Sequence, residues 1–438
     1  MEWWQLLLVI LISLIGLMFL RVPVAFAFLM VNIVASFFIW GGEKGLTLLI
    51  TSIENSLTNF SLLPIPLFIL MGEIMFRAGI APRMIETVDK WLGKLPGRLS
   101  LLAVGGGTLL STLTASTMAS TAMLGSTLIP EMEKQKYHKS MAMGPILGSG
   151  VLAVMIPPSA LGVLLASMGQ ISVGAFLIAI IIPGILMAVL YTIFIIVWAK
   201  MNPHLAPAYD IQETPFIEKV TATMKYILPL GLIVFFVIGF MFLGIATPTE
   251  AAAMGVIASM ILAICYRKLT LDVLIQSLSG TMKITVMILI VVSASTAFSQ
   301  ILSFSGATRN LVNLVGGFEF APVIILLILL LTVIVLGTFL ESLSIMMLVI
   351  PIFFPIVAAL DFNLLWFAVL LLITIEIGTI TPPFGVGLFV MKGVAPKGTK
   401  MLDIYTAAVP YILLQVLLLV LVILFPTIVT WLPDIMRN

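Results

Sequence analysis

The stretch "ITPPFG", residues 380–385, interrupts a run that otherwise reads as a membrane-spanning helix. Two adjacent prolines remove two backbone donors and forbid regular helix at that point. In hydrocarbon, backbone groups freed this way are tolerated only where they are buried in protein or line a cavity. A second double proline, in "MIPPSALGV" at residues 155–163, lies earlier, and Pro382 follows Pro157 by 225 residues (382 − 157) in a chain of 438. The same shift pairs Gly162 with Gly387 and Pro130 with Pro355, and lays "TAST" (Thr114 to Thr117) over "FLES" (Phe339 to Ser342). A polar turn, then a proline, then a broken helix therefore recurs in each half.

Composition sets the environment. The chain is 61% hydrophobic and 9% charged, with mean hydropathy +1.26, more apolar surface than a soluble core can bury. The apolar runs are about 20 residues long, which fits spanning helices and excludes a β-barrel. One cysteine, Cys265, leaves no disulfide framework or thiolate cluster, and His138 and His204 both fall in polar connections. The opening "MEWWQLLLVILISLIGLMFLR" lacks a basic leader and a small-residue cleavage site, so it reads as a first span with Trp3 and Trp4 at the interface. The lipid bilayer is the expected partner, and no nucleic acid is.

Basic residues orient the spans. Arg21 follows the first run, and Arg77, Arg83, Lys90, Lys94 and Arg98 follow the third, which makes that charged arm cytoplasmic. The stretch from Leu99 to Pro130 is flanked again by Lys134, Lys136 and Lys139 and carries "STLTASTMAST" at its centre. Entry and exit by one face, with arms of about 15 residues, predict a re-entrant hairpin rather than two full crossings. The stretch from Pro322 to Leu360, centred on "GTFLESLS" between weakly charged flanks, predicts a second hairpin entered from outside. The expected organisation is N-terminal scaffold spans over 1–57, a first repeat over 58–200 with its hairpin near 99–130, a cytoplasmic linker over 201–225, and a second repeat over 226–438 with its hairpin near 322–360. The fold class is thus an all-α integral membrane protein with two inverted-topology repeats, two re-entrant hairpins and two discontinuous helices. Such architecture belongs to secondary transporters, whose sites form where the breaks meet.

"IPPS", "GTFLES", "TPPFGVGLFV" and "TPTEAAA" (residues 247–253) together resemble the large membrane subunit of TRAP transporters, the tripartite ATP-independent periplasmic transporters, over almost the whole chain. The resemblance implies sodium-driven uptake of a small organic anion, such as a C4-dicarboxylate or sialic acid, by an elevator-type movement in the bacterial inner membrane. It implies two protein partners, a periplasmic substrate-binding protein and a small four-helix membrane subunit on a separate chain. It implies no cofactor beyond sodium as coupling ion. The chain departs from the pattern at Gly387, where many relatives carry asparagine. A stand-alone divalent-anion/sodium symporter is the rival reading. A membrane-embedded enzyme would need a nucleophile, metal cluster or Asp-rich site, and none is visible.

Candidate site residues follow from the turns and breaks. At the first turn, Thr114, Ser116, Thr117 and Ser120 supply hydroxyls, either as ligands or as caps of helix ends. Across from them, the carbonyls of Ala153, Ile156 and Pro158 would complete a first sodium site. The repeat gives Gly378, Thr381 and Pro383 the same role, facing Gly337 and Thr338, as a second site. All-oxygen ligation suits sodium, with proton coupling left open. Ser159, Glu341, Ser342, Glu376 and Gly387 are candidates for substrate contact or gating, because an intramembrane carboxylate is costly without a partner or a wet cavity. Glu73 and Glu250, near span ends, are as readily caps as functional groups.

Overall fold

The computed structural model describes residues 2–110, 116–207, 214–317 and 321–437. Every regular element among them is helical. The first part comprises α1 (Trp3–Phe19), α2 (Val24–Ile39), α3 (Glu43–Leu57), α4 (Pro64–Arg77) and α5 (Ile80–Leu92). The first hairpin and break follow as α6 (Arg98–Leu110), α7 (Thr117–Lys134), α8 (Lys139–Met155) and α9 (Ala160–Met168), leading into α10 (Val173–Ala179) and α11 (Ile181–Met201). The middle holds α12 (Phe216–Ala222), α13 (Leu228–Phe242), α14 (Pro248–Cys265), α15 (Leu271–Phe304) and α16 (Ala307–Gly316). The second hairpin and break are α17 (Pro322–Gly337), α18 (Ser342–Ala359), α19 (Leu364–Thr379) and α20 (Val386–Val394), closed by α21 (Met401–Leu424) and α22 (Thr427–Arg437).

Seven helical stretches among the described residues are long and apolar enough to cross a membrane. The α8–α9 pair, bent by 53° at its prolines, makes an eighth if counted as one span. The described part of α6 has 13 residues, about 20 Å of helix.

The 225-residue repeat of the sequence extends to element bounds. Helices α7 and α18 both have 18 residues, and their first residues are Thr117 and Ser342. Helices α8 and α19 open at Lys139 and Leu364, again 225 apart (364 − 139), and α9 and α20 have 9 residues each. The Pro157–Pro158 and Pro382–Pro383 bonds are both cis.

Helix bounds depart from hydropathy in places. Helix α15 begins at Leu271 and runs 34 residues. Hydropathy sees only its apolar part, whereas Thr270 caps the polar beginning by accepting from the Val273 N–H. The linker expected through Lys225 ends sooner, because α12 starts at Phe216 directly after Pro215 and passes through one π-turn (Thr223–Ile227) into α13. The stretch read as the first span is a helix of 17 residues, stopped where Arg21 turns left-handed (φ 64°) before Pro23, and it is not among the seven stretches long enough to cross.

Packing forms two groups of helices. On one side α4 lies against α14 and α15, and α15 also against α2 and α3. On the other, α8 is enclosed by α6, α7, α11 and α21, and α19 by α17, α18 and α21. Helix α20 turns back onto α7, joining the second break to the first hairpin. Helix α5 is amphipathic: Ile80, Ala81, Met84 and Ile85 are buried while Arg83 and Glu86 face out. It is tied down by Arg98–Asp89 (2.6 Å), Lys90–Glu218 (2.6 Å) and the Trp91 indole donating to Thr223 (2.7 Å).

Candidate functional site

Both hairpin tips and the first break open onto one cavity of about 300 Å³. Ser116, Thr117, Met118 and Ala119 of α7 line it, as do Glu341, Ser342 and Leu343 at the start of α18, and Pro158, Ala160 and Leu161 at the break. The opposite wall comes from α4 (Phe68, Ile69, Gly72, Glu73, Phe76) and α15 (Ile284, Met287, Ile288). Three helices thus begin at this cavity, and helix N-termini present free N–H groups and a positive dipole end. Its lining side chains include no lysine or arginine among the described residues, and its two carboxylates differ. Glu73 is paired with Arg77 (2.7 Å), whereas Glu341, the N-cap of α18, makes no capping bond and is exposed to the cavity.

The first predicted set is partly assembled. Ser116 caps α7, accepting from the Ala119 N–H (3.4 Å), and Ser159 caps α9 by accepting from the Gly162 N–H (3.1 Å). Ser120 is fully buried, and its hydroxyl has no partner among the described residues. Ala153 lies buried in the last turn of α8, Ile156 is its extended C-cap, and Pro158 reaches the cavity. Thr114 lies outside the described residues.

The second set surrounds a backbone crossing. Gly337 ends α17 against Gly378 in α19, so close that a Cβ on either would stand 2.6 Å from the other's Cα. The Thr338 hydroxyl donates to the Val335 carbonyl (2.8 Å) and the Thr381 hydroxyl to the Ile377 carbonyl (2.6 Å). The Pro383 carbonyl accepts from the Tyr405 hydroxyl (2.7 Å). This break differs from the first: Pro383 and Phe384 are exposed, and the Phe384 ring packs on Phe339 of the tip (centroids 5.4 Å). Gly387 is buried, and a Cβ there would meet Ile380 Cγ2 at 3.1 Å and the Thr379 carbonyl at 3.2 Å.

Glu376 connects the two sets. Its carboxylate is fully buried in α19, accepting from Thr117 (2.8 Å) on one oxygen and from Ser342 (3.1 Å) on the other. Those two donors are repeat-equivalent positions, so one carboxylate ties both tips together. Glu376 does not line the cavity, unlike Glu341 and Ser342 beside it. Glu250 proves to be a cap, closing a capping box with Thr247 at the start of α14. The α4 and α15 wall carried no local sequence signal, since its residues read as ordinary span faces; only Glu73 stood out.

Broken helices and paired hairpin tips around one cavity, in an all-helical chain of seven or eight candidate spans, define a membrane transporter of the discontinuous-helix type. The structure is similar to that of MtrF from Neisseria gonorrhoeae, of a class of antimetabolite efflux pumps, with a TM-score of 0.62 and 13% identity over 87% of this chain and 84% of that one. That likeness concerns the fold. Residues 11–428 match the family described as tripartite ATP-independent periplasmic transporter, DctM component, and the chain belongs to that family. It is 28% identical, over 98% of its length and 97% of the relative's, to the C4-dicarboxylate TRAP transporter large permease protein DctM of Vibrio cholerae. It is 29% identical to the ectoine TRAP transporter large permease protein TeaC of Halomonas elongata, covering 97% of this chain and 98% of that protein. The isethionate TRAP transporter permease protein DctMQ of Oleidesulfovibrio alaskensis is 28% identical over 85% of this chain and 58% of its own length. The family consists of transport components, not enzymes.

Proposed function

We propose that the chain imports a small organic anion across the bacterial inner membrane, driven by sodium, as the large subunit of a tripartite system. The observation that carries this reading is the cavity onto which the N-termini of α7, α9 and α18 open. With no basic side chain among its described lining residues, the amides of those helix ends hold the substrate carboxylate. A volume of about 300 Å³ suits a C4-dicarboxylate or a comparable carboxylate. The hydroxyls and carbonyls at the tips and breaks are oxygen donors of the kind a hard cation takes.

The matched element bounds support two repeats, and the basic flanks of the first hairpin against the weakly charged flanks of the second support opposite entry. The cavity lies between the hairpin group and the α4–α15 wall. Sliding of the first group along the second carries substrate across, as an elevator. The partners are a periplasmic binding protein and a small membrane subunit. The tripartite family description and a relative of which this chain accounts for 58% support them.

Reconstitution tests the reading. With both partners present, an inward sodium gradient drives concentrative uptake of a radiolabelled carboxylate, and replacing sodium by potassium stops it. Equal uptake in potassium would refute sodium coupling. Uptake by the permease alone would favour the stand-alone symporter.

A further inference from the structure

We propose that the turn between α14 and α15, together with the start of α13, binds the headgroup of an anionic phospholipid. The site is separate from the transport cavity, which none of its residues lines. Its cations are Lys225, in the π-turn that leads into α13, and Arg267 and Lys268, directly after the α14 C-cap Tyr266. All three are exposed, and among the described residues none of them forms an ion pair. The acids nearest in sequence have other partners: Glu218 pairs with Lys90 (2.6 Å), and Asp272 accepts from the Gln276 amide (2.8 Å).

Packing gathers the three cations. Helices α13 and α14 lie side by side, and the Tyr266 hydroxyl donates to the Lys225 carbonyl. The rings of Tyr226 and Tyr266 face each other at 6.1 Å between centroids, and the Lys225 ammonium stands 5.4 Å from the Tyr226 centroid. Like charges gathered at one place repel, and an anion among them turns that cost into attraction. The C-terminal end of α14 carries about half a negative charge, too little to offset three cations. Arg267 also takes the left-handed position that closes α14 (φ 54°), which glycine fills at less cost.

The surroundings select a lipid over a soluble anion. The stretch running through α12 and α13 is the least buried of the seven candidate spans, with 17% of its apolar window covered. Leu228, Leu232 and Phe235 of α13, and Ile257, Ile261 and Ile264 of α14, are exposed at helical spacing, a surface for acyl chains. Paired tyrosines at the ends of two spans mark the level of the bilayer interface. Basic groups between spanning helices at that level attract anionic headgroups.

The test uses the full-length chain in nanodiscs, with a fluorophore on Cys265, the chain's one cysteine, exposed beside Tyr266. Quenching by brominated phosphatidylglycerol is compared with quenching by brominated phosphatidylcholine. The anionic lipid is expected to reach half-quenching at about a tenfold lower mole fraction. Arg267→Gln combined with Lys268→Gln should bring the two lipids within about twofold of each other, and Lys225→Gln should narrow the gap several-fold. Lys283→Gln, at an exposed lysine of α15 outside the cluster, should leave the gap intact. If the double variant does not fold, Lys225→Gln decides. Equal quenching by both lipids in the wild type, or an unchanged gap in the cluster variants, overturns the site. Relief of quenching by soluble glycerol phosphate would mark a phosphate site without a lipid. Loss of quenching by both lipids when the small membrane subunit is added would mark a protein interface. Either result overturns the lipid assignment.

Discussion

Gly337→Ala tests the backbone crossing on which the second tip depends. A Cβ at 337 would lie 2.6 Å from Gly378 Cα and 3.1 Å from its carbonyl carbon, whereas carbon atoms in contact settle at about 3.5–4.0 Å. The obstacle is backbone and cannot rotate away, so α17 and α19 must separate by about 1 Å. Overpacking of this kind costs about 3 kcal/mol, the upper part of its usual range. For a chain of this size that lowers the unfolding midpoint by roughly 3 °C. Because Gly337 is the last residue of α17 and Ser342 the first of α18, the same displacement stretches the 3.1 Å bond from Ser342 to Glu376 beyond hydrogen-bonding range. The unfolding midpoint in detergent and substrate uptake should therefore fall together. Gly231→Ala in α13 is the control: nothing lies within 4 Å of a Cβ there, and its midpoint should hold or rise slightly. Equal midpoints for Gly337→Ala and Gly231→Ala would refute the close crossing.

Arg98→Ala removes a side chain only 10% exposed and leaves Asp89, itself 32% exposed, without its 2.6 Å partner, and should cost about 2 kcal/mol. Hydrogen exchange should then rise in α5 and stay unchanged in α13. Ser159→Ala removes the cap of α9 and should cost about 1 kcal/mol by thermal unfolding, with no loss if the 3.1 Å bond to the Gly162 N–H is unimportant. Single cysteines at Lys94 and Lys136, in a Cys265→Ser background, should react with an impermeant thiol reagent from the same side of intact vesicles. Labelling from opposite sides would remove the re-entrant first hairpin.

How much of this was legible in the sequence depends on what range of residues each feature spans. Hydropathy and turn chemistry are local, and they anticipated several helix ends: α7 starts at Thr117 and α18 at Ser342, beside the polar turns, and α8 and α19 stop before the two double prolines. The 225-residue shift is longer in range but still a property of the string, and the helix bounds follow it: α7 and α18 match in length and α8 and α19 in starting point. It also suggested two equivalent breaks, which the fold does not provide. Ser159 caps the first break inside the core, whereas the corresponding position is Phe384, half exposed and packed on Phe339. The residue that opens α20 is preceded by Gly385, which has no side chain to cap with. A repeat in proline spacing constrains where a helix stops, not what packs around the stop.

Glu376 shows where such reading ends. On the string it is one carboxylate in an apolar run, five residues before Thr381, with no counterpart in the first half, where the shift lands on Val151. Its donors lie 259 and 34 residues away, and nothing in local spacing joins them. They meet because α18 packs directly on α19 while α7 reaches the same centre across α8, so two repeat-equivalent hydroxyls converge on a residue the repeat does not duplicate. A symmetric pair of tips can share one charge only where the symmetry is broken. The single carboxylate on α19 and the valine at the matching place on α8 are that break.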